Sequence, residues 1–245
     1  MGSTPTSAIL VLIPAFNEEA TVADVVGAAK QRLRCDVLVV DDGSSDATVL
    51  QARRAGAMVI RHPLNLGVGG AIRTGMRVAL SLHKEYVVQL DADGQHDADD
   101  AELLLKSVMS AECDIAVGSR FESGYQASTA RAGMMRLLSR WISRRVDTTI
   151  TDTTSGFRAF GPRAIALFSR SYPTMYLSDT VEALLLASDT GLTIREQAVQ
   201  MHPRMGGTPS SGRVRSAVRL ARLWLVLFLH PIRRPATPRG VSNEA

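Results

Sequence analysis

Apolar residues come in short runs rich in Val, Ile and Leu: Ile9–Ile13, Asp36–Val40, Ala57–Ile60, Tyr86–Leu90 and Asp114–Val117. Runs of this length without polar alternation predict strands buried on both faces. Between them lie stretches with helical spacing, about Ala20–Arg32, Ser45–Ala55, Gly70–Leu82 and Asp99–Ala111. The repeated β-α-β order predicts an α/β, Rossmann-like fold: a mostly parallel sheet with helices on both faces. After about Ser119 the alternation stops. An Arg-rich amphipathic helix, the segment Asp152–Arg158 and a helical stretch near Thr180–Ser188 follow, and this half is expected to build the side that receives an acceptor. The division expected is a catalytic domain over 1–211, an amphipathic segment over 212–232 and a Pro-rich disordered tail over 233–245.

In an open parallel sheet the ligand sits beyond the carboxyl ends of the strands. Those positions are acidic here. Strand one runs into Pro14-Ala15-Phe16-Asn17-Glu18-Glu19, strand two into Asp41-Asp42-Gly43-Ser44-Ser45-Asp46, and strand four into Asp91-Ala92-Asp93-Gly94-Gln95-His96. Asp91 and Asp93 lie two apart, so a slight turn aims both carboxylates at one hard cation, Mg2+ or Mn2+, which a diphosphate would share. Alone, the tripeptide reads as readily as a turn or helix cap. Its place after a buried strand favours the metal. A calcium loop fails on Gln95 and His96, and a phosphatase of the haloacid-dehalogenase type fails on Gln95. Asn65-Leu66-Gly67-Val68-Gly69-Gly70-Ala71 is a glycine loop entering a helix, suited either to close approach of phosphate or ribose or to a tight structural turn. A dinucleotide fingerprint would need its third glycine where Ile72 stands.

Composition narrows the class. The chain has 245 residues, 45% hydrophobic and 21% charged, which suits one large globular domain and excludes both a disordered chain and a polytopic membrane protein. Aromatics at 5% are too scarce for a single-strand stacking platform. The net charge of +4 is concentrated in arginines between Arg131 and Arg145 and between Arg204 and Arg239. No nucleic-acid-binding signature accompanies them, so a phosphate-bearing substrate or a membrane surface is the expected partner, not nucleic acid. Cys35 and Cys113 are too few for a disulfide scaffold and read as buried thiols of a reducing compartment. Met1–Ser7 carries no signal-peptide pattern, and Pro5 interrupts the loose lipidation match at Gly2.

Taken together, these motifs resemble the family-two glycosyltransferases of the GT-A fold, most closely their polyprenyl-phosphate (dolichol-phosphate-mannose-synthase-like) branch. The resemblance spans about Ile9 to Ser211. It is carried by Pro14–Glu19, Asp41–Asp46, the Asn65–Gly75 loop, Asp91–His96, Gly118-Ser119-Arg120-Phe121 and Asp152–Arg158 in that order. It implies that Pro14, Ala15, Phe16, Glu18, Asp42, Asn65, Gly69, Arg73, Asp91 and Ala92 bind the nucleotide sugar, and that Asp91, Asp93 and Gln95 surround the metal. It implies catalytic roles for Asp93, Arg120 and Arg204, and contacts of Arg120, Arg131, Arg136, Ser155 and Arg213 with the acceptor phosphate. An inverting, single-displacement transfer is implied as well. A polyprenyl phosphate is already an anionic nucleophile, so positioning and cationic clamps suffice without a general base.

One departure concerns the end of the domain. The branch often reads Arg-x-x-Gly-x-Ser-Lys, whereas this chain has Arg204-Met205-Gly206-Gly207-Thr208-Pro209-Ser210-Ser211, with Ser at the Lys position. Arg213 is the candidate to replace the missing cation. Asp179 and Glu182 stand where relatives that use hydroxyl acceptors place a base, and they serve equally as helix N-terminal carboxylates. In Arg213–His230, Arg215, Arg219 and Arg222 share one face, and the apolar run Leu223–Leu229 falls short of the ~20 residues a span needs. Such a helix would lie on an anionic membrane or dock on the core, on a second copy or on a small membrane protein. The expected activity is transfer of a hexose or N-acetylhexosamine from a UDP- or GDP-sugar to polyprenyl phosphate by a peripheral protein at the cytoplasmic membrane face. The alternatives are transfer to a glycan hydroxyl and an inactive nucleotide-sugar-binding protein.

Overall fold

The computed structural model describes residues 8–119, 129–174 and 179–200, with the backbone alone at 129–136 and 138. All of them belong to one compact unit, Met1–Thr208; the second unit, Pro209–Ala245, lies outside the described residues, and so do the segments expected at 212–232 and 233–245.

A seven-stranded sheet forms the centre, in the order β3-β2-β1-β4-β6-β5-β7. Its strands are β1 (Ile9–Ala15), β2 (Asp36–Asp41), β3 (Met58–Arg61), β4 (Tyr86–Gln89), β5 (Ile115–Ser119), β6 (Arg158–Phe160) and β7 (Ile194–Ala198). All run parallel except β6, which is antiparallel to both β4 and β5. The helices are α1 (Val22–Leu33), α2 (Thr48–Arg54), α3 (Val68–Ser81), α4 (Ala98–Met109), α5 (Thr129–Val146), α6 (Pro162–Ser171) and α7 (Asp179–Asp189).

The period-two geometry of β1 divides the core. Ile9, Val11, Ile13 and Ala15 pack with Val22, Val25, Val26, Ala29 and Leu33 of α1 and with Leu104, Leu105 and Val108 of α4. Leu10 and Leu12 are also fully buried and face the other layer, where α3 lies on β1 so closely that a Cβ on Gly75 would stand 2.2 Å from Leu12 Cδ1. Burying one such side chain is worth about 1.5–3 kcal/mol, so this residue pattern commits β1 to the centre of the sheet. α1 contacts α2 and α4, and α3 contacts α6 and α7, which gives the two helical layers.

The five apolar runs all form strands, and the four helical stretches form α1 to α4 within three residues of the expected bounds at each end. Sequence reading misses β6, α6 and β7. β6 is three residues long and begins with an arginine, and β7, Ile-Arg-Glu-Gln-Ala, is a half-exposed edge strand that needs no apolar run. Cys113 is buried as expected, but Cys35 is only half-buried at the α1–β2 turn.

Candidate active site

The chain winds outward from β1 through β2 to β3, then returns through α3 to β4 on the other side of β1. This reversal opens a crevice between the carboxyl ends of β1 and β4, where ligands bind in open α/β sheets. β4 pairs with β1 only as far as Leu12–Gln89, so Pro14 lies beyond the last β4 partner and its missing N–H leaves no ladder bond unmade on that side. Phe16 stands 45% exposed at this mouth.

The first two strand exits hold each other in place. Asn17, at φ 55°, donates its N–H to Ser44 Oγ (2.9 Å), and its Oδ1 accepts the Ser45 N–H (2.9 Å). The Glu18 N–H donates to Thr48 Oγ1 (2.8 Å), and Glu19 Oε2 accepts the Ala47 N–H (2.8 Å). Asp42 is 4% exposed, and its carboxylate is fully engaged. Oδ1 accepts the Leu66 N–H (2.9 Å) and faces His62 Nδ1 (2.8 Å), while Oδ2 accepts the Gly67 N–H (2.7 Å). Asp42 thus anchors the glycine loop. The loop's Gly69 abuts the α6–α7 connection, since a Cβ there would lie 2.2 Å from the Pro173 carbonyl oxygen and 3.3 Å from Asp179 Cβ.

On the β4 side the Asp91 N–H donates to His96 Nδ1 (3.0 Å), so the neutral ring carries its proton on Nε2, 3.7 Å from Asp91 Oδ2. His96 is stacked on Phe157, with centroids 4.5 Å apart. Asp93 is 9% exposed, and its Oδ1 accepts the Gln95 N–H (3.1 Å), with Gly94 at φ 75° between them. The Asp91 side chain is 41% exposed, and Gly156 leaves space at its carboxylate. Among the described residues no three His, Cys, Asp or Glu side chains converge as a closed metal cage. Two carboxylates at a crevice mouth, one of them open, fit a hard divalent ion that takes its remaining oxygens from a bound diphosphate and water.

Beneath Asp91 lies a buried polar cluster. Arg158, 1% exposed, pairs across the sheet with Gln89, donates Nε–H to the Ser155 carbonyl (2.9 Å) and Nη1–H to the Thr180 carbonyl (3.1 Å). Burial pulls its pKa down, opposed by Tyr172, Asp179, Asp152 and Asp91. Asp179 is 6% exposed, and burial pushes its pKa up against the Thr180 N–H and Arg158. Arg158 Nη2, Tyr172 Oη, Asp179 Oδ2 and Gln89 Oε1 are buried without hydrogen-bond partners. Glu196 of β7 ties the neighbouring loop down, accepting from Thr151 N–H and Oγ1–H and from the Asp152 N–H.

The structure therefore brings Pro14, Ala15, Phe16, Glu18, Asp42, Asn65, Gly69, Asp91, Ala92, Asp93 and Gln95 to the carboxyl-end loops of β1 to β4. Ser155 lies buried in the loop before β6, beside Gly156, which borders Asp91. Arg73 lines a groove on the α3–α6 face. Arg120, Arg204 and Arg213 lie outside the described residues; Arg131 and Arg136 are placed on α5 by backbone alone. Site roles for Arg158, Gln89, Tyr172, His96 and Glu196 are not legible from the sequence. The only available signal was an arginine closing the Asp152–Arg158 motif.

A Rossmann-like sheet with acidic loops at the β1–β4 switch point defines a GT-A protein, and solved structures of that fold agree. Glucosyl-3-phosphoglycerate synthase from Mycobacterium tuberculosis, in complex with Mn2+, UDP and glucosyl-3-phosphoglycerate, superposes with a TM-score of 0.67 at 20% identity, over 94% of this chain and 81% of that one. The glycosyl transferase family 2 model matches residues 10–172, and the chain belongs to that family. Among its relatives, the UDP-N-acetylglucosamine–dolichyl-phosphate N-acetylglucosaminyltransferase of Methanococcus voltae is 28% identical over 214 residues, 78% of this chain and 84% of that protein. The undecaprenyl-phosphate mannosyltransferase of Micrococcus luteus is 30% identical over 161 residues, 62% of this chain and 65% of that protein. The chain is a glycosyltransferase of that family.

Proposed function

We propose that this protein transfers a hexose or N-acetylhexosamine from a UDP- or GDP-sugar to polyprenyl phosphate, with inversion, at the cytoplasmic face of a membrane to which it binds peripherally. The observation that carries the reading is the pairing of Asp91 and Asp93 at the β4 exit, directly across the switch-point crevice from Pro14–Glu19. In this reading Pro14, Ala15, Phe16 and Glu18 receive the nucleoside, and Asp42 acts on it through the Asn65–Gly69 loop that its carboxylate holds. Asp91, Asp93 and Gln95 hold Mg2+ or Mn2+ against the diphosphate, and the ion neutralises charge on the departing nucleotide. His96 and Gly156 fix the orientation of Asp91, the first through its ring and the second by leaving room.

The acceptor half follows from charge. Arg120, Arg131, Arg136, Ser155, Arg204 and Arg213 would clamp the acceptor phosphate, which attacks as an anion and needs no proton removed. Asp179, one of the two candidate bases beside Glu182, is poorly suited to serve a hydroxyl acceptor, because a general base must be ionised and reach its proton. Asp179 is 6% exposed, its Oδ1 accepts the Thr180 N–H, and burial favours its protonated form. The test offers UDP- and GDP-sugars with polyprenyl phosphate, with added Mn2+ or with EDTA. A labelled lipid that forms only with metal supports the reading, and transfer to saccharides alone sinks it.

A further inference from the structure

On the α3–α6 face, a groove of about 530 Å³ is lined by Arg73, Arg77, Leu80, Ser81, Ser169 and Arg170. We infer that this groove is a docking surface for the headgroup phosphates of an anionic bilayer, so that the catalytic domain itself lies on the membrane along α3 and α6. The inference rests on the lipid-acceptor reading above and adds the surface that brings the domain to its substrate.

Charge is the first argument. Some arginines elsewhere on the surface are matched with carboxylates, Arg32 with Asp99 and Glu102, Arg163 with Asp114 and Arg195 with Glu112, and others such as Arg34, Arg53 and Arg54 stand singly among the described residues. In this groove three guanidinium groups line one cavity, no carboxylate lines it, and none of the three has an ion-pair partner among the described residues. Arg73 Nε is in addition buried without an acceptor. Three uncompensated cations around one space are stabilised by an external anion, and a planar guanidinium is suited to phosphate.

The second argument is the distribution of apolar side chains. Of the ten large exposed hydrophobics among the described residues, five lie on α3 or on the loops at its two ends: Leu64, Leu66, Val68, Leu80 and Leu82, each 42–59% exposed. Arg73, Arg77, Leu80 and Ser81 fall within about 100° of one another around the helix, so cations and an apolar side chain share its outer face. A free phosphate ion would use the arginines and leave Leu80 in water. A bilayer interface uses both.

The third argument is direction. α3 begins at the glycine loop, where Gly69 touches the Pro173–Asp179 connection beside the crevice. A domain lying on its α3–α6 layer therefore brings the glycine-loop end of α3, which borders the crevice, toward the bilayer.

The test compares the wild-type full chain with Arg77→Ala/Arg170→Ala by co-sedimentation with phosphatidylcholine vesicles with and without phosphatidylglycerol. Turnover is followed in parallel with a detergent-dispersed polyprenyl phosphate. Each arginine near an anionic surface contributes about fivefold to partitioning, so the double variant should bind phosphatidylglycerol vesicles about 25-fold more weakly. Added salt should remove the difference, because the contact is screened. Turnover with the dispersed acceptor should stay at the wild-type level, which separates this inference from the catalytic one. Unchanged vesicle binding overturns the inference. Loss of the dispersed-acceptor activity overturns it too, since the groove would then serve a soluble substrate. A changed oligomeric state with vesicle binding retained would make the face an interface between copies, and would equally refute it.

Discussion

Replacing Gly156 by alanine should damage the proposed metal site while leaving the fold nearly intact. A Cβ at this position would stand 3.0 Å from Asp91 Oδ1, 3.3 Å from Asp91 Oδ2 and 3.2 Å from Gln89 Nε2. The backbone there is outside the left-handed region, so alanine adds only these contacts. Asp91 is the partner free to yield, with its side chain 41% exposed, whereas Gln89 is 1% exposed. Relief of a few tenths of an ångström at a half-exposed side chain places the stability loss at the low end for overpacking, about 1 kcal/mol. That corresponds to a fall in Tm of ~2–4 °C for a domain of this size. The same displacement moves the side chain proposed to ligate the metal, and disturbing the groups that orient a ligand costs about 10- to 100-fold in metal affinity or activity. Mn2+ titration of UDP-sugar turnover, beside thermal melting, separates the two effects. Gly27→Ala is the control, because nothing lies within 4 Å of its Cβ and the residue sits in the exposed interior of α1, where the change should stabilise by about 1 kcal/mol. Wild-type Mn2+ dependence in Gly156→Ala would refute the assignment of Asp91. A collapse of Tm would refute the claim that Asp91 absorbs the strain.

Three further outcomes follow. Burial raises the pKa of Asp179, so ionising it costs native stability above the ordinary carboxylate range and costs nothing below about pH 3.8; Asp179→Asn should therefore melt higher than wild type at neutral pH and lose that advantage as pH falls through 4. Burial pushes the thiols of Cys35 and Cys113 up to about 11, against an ordinary 9.0, with Asp36 adding to the effect at Cys35; alkylation of the folded protein at neutral pH should run about a hundredfold slower than that of the unfolded chain. Glu196→Ala leaves the Thr151 and Asp152 donors without their acceptor, so it should raise KM for the acceptor several-fold and destabilise by about 2–3 kcal/mol, with Glu196→Gln recovering part of both.

The readable part of the chain is the part that fully buried strands dictate. β1, β2 and β4 carry near-continuous apolar runs because both their faces are covered, and each run ends where the polar site begins. The sequence alone therefore places Asp91 and Asp93 at a strand exit. What stayed hidden depends on partners distant in sequence. The engagement of Asp42 with the Gly67 N–H spans 25 positions, and the fit of Gly69 under Pro173 spans over a hundred. Arg158 reads as a surface residue, yet it pairs with Gln89 inside the sheet because β6 inserts antiparallel between β4 and β5. No pattern of period two or 3.6 forecasts a charged residue in that position.

The central claim is that the Asp91–Asp93 crevice passes a sugar to a lipid phosphate. It is tested most directly by phosphorus NMR and mass spectrometry of the product formed with Mn2+, a UDP- or GDP-sugar and polyprenyl phosphate, set against the same lipid as a free alcohol. The account predicts one new phosphodiester, with the sugar's anomeric configuration inverted, from the phosphate lipid alone, and no product from Asp91→Asn. Equal transfer to the alcohol, or phosphodiester formation undiminished in Asp91→Asn, would contradict it.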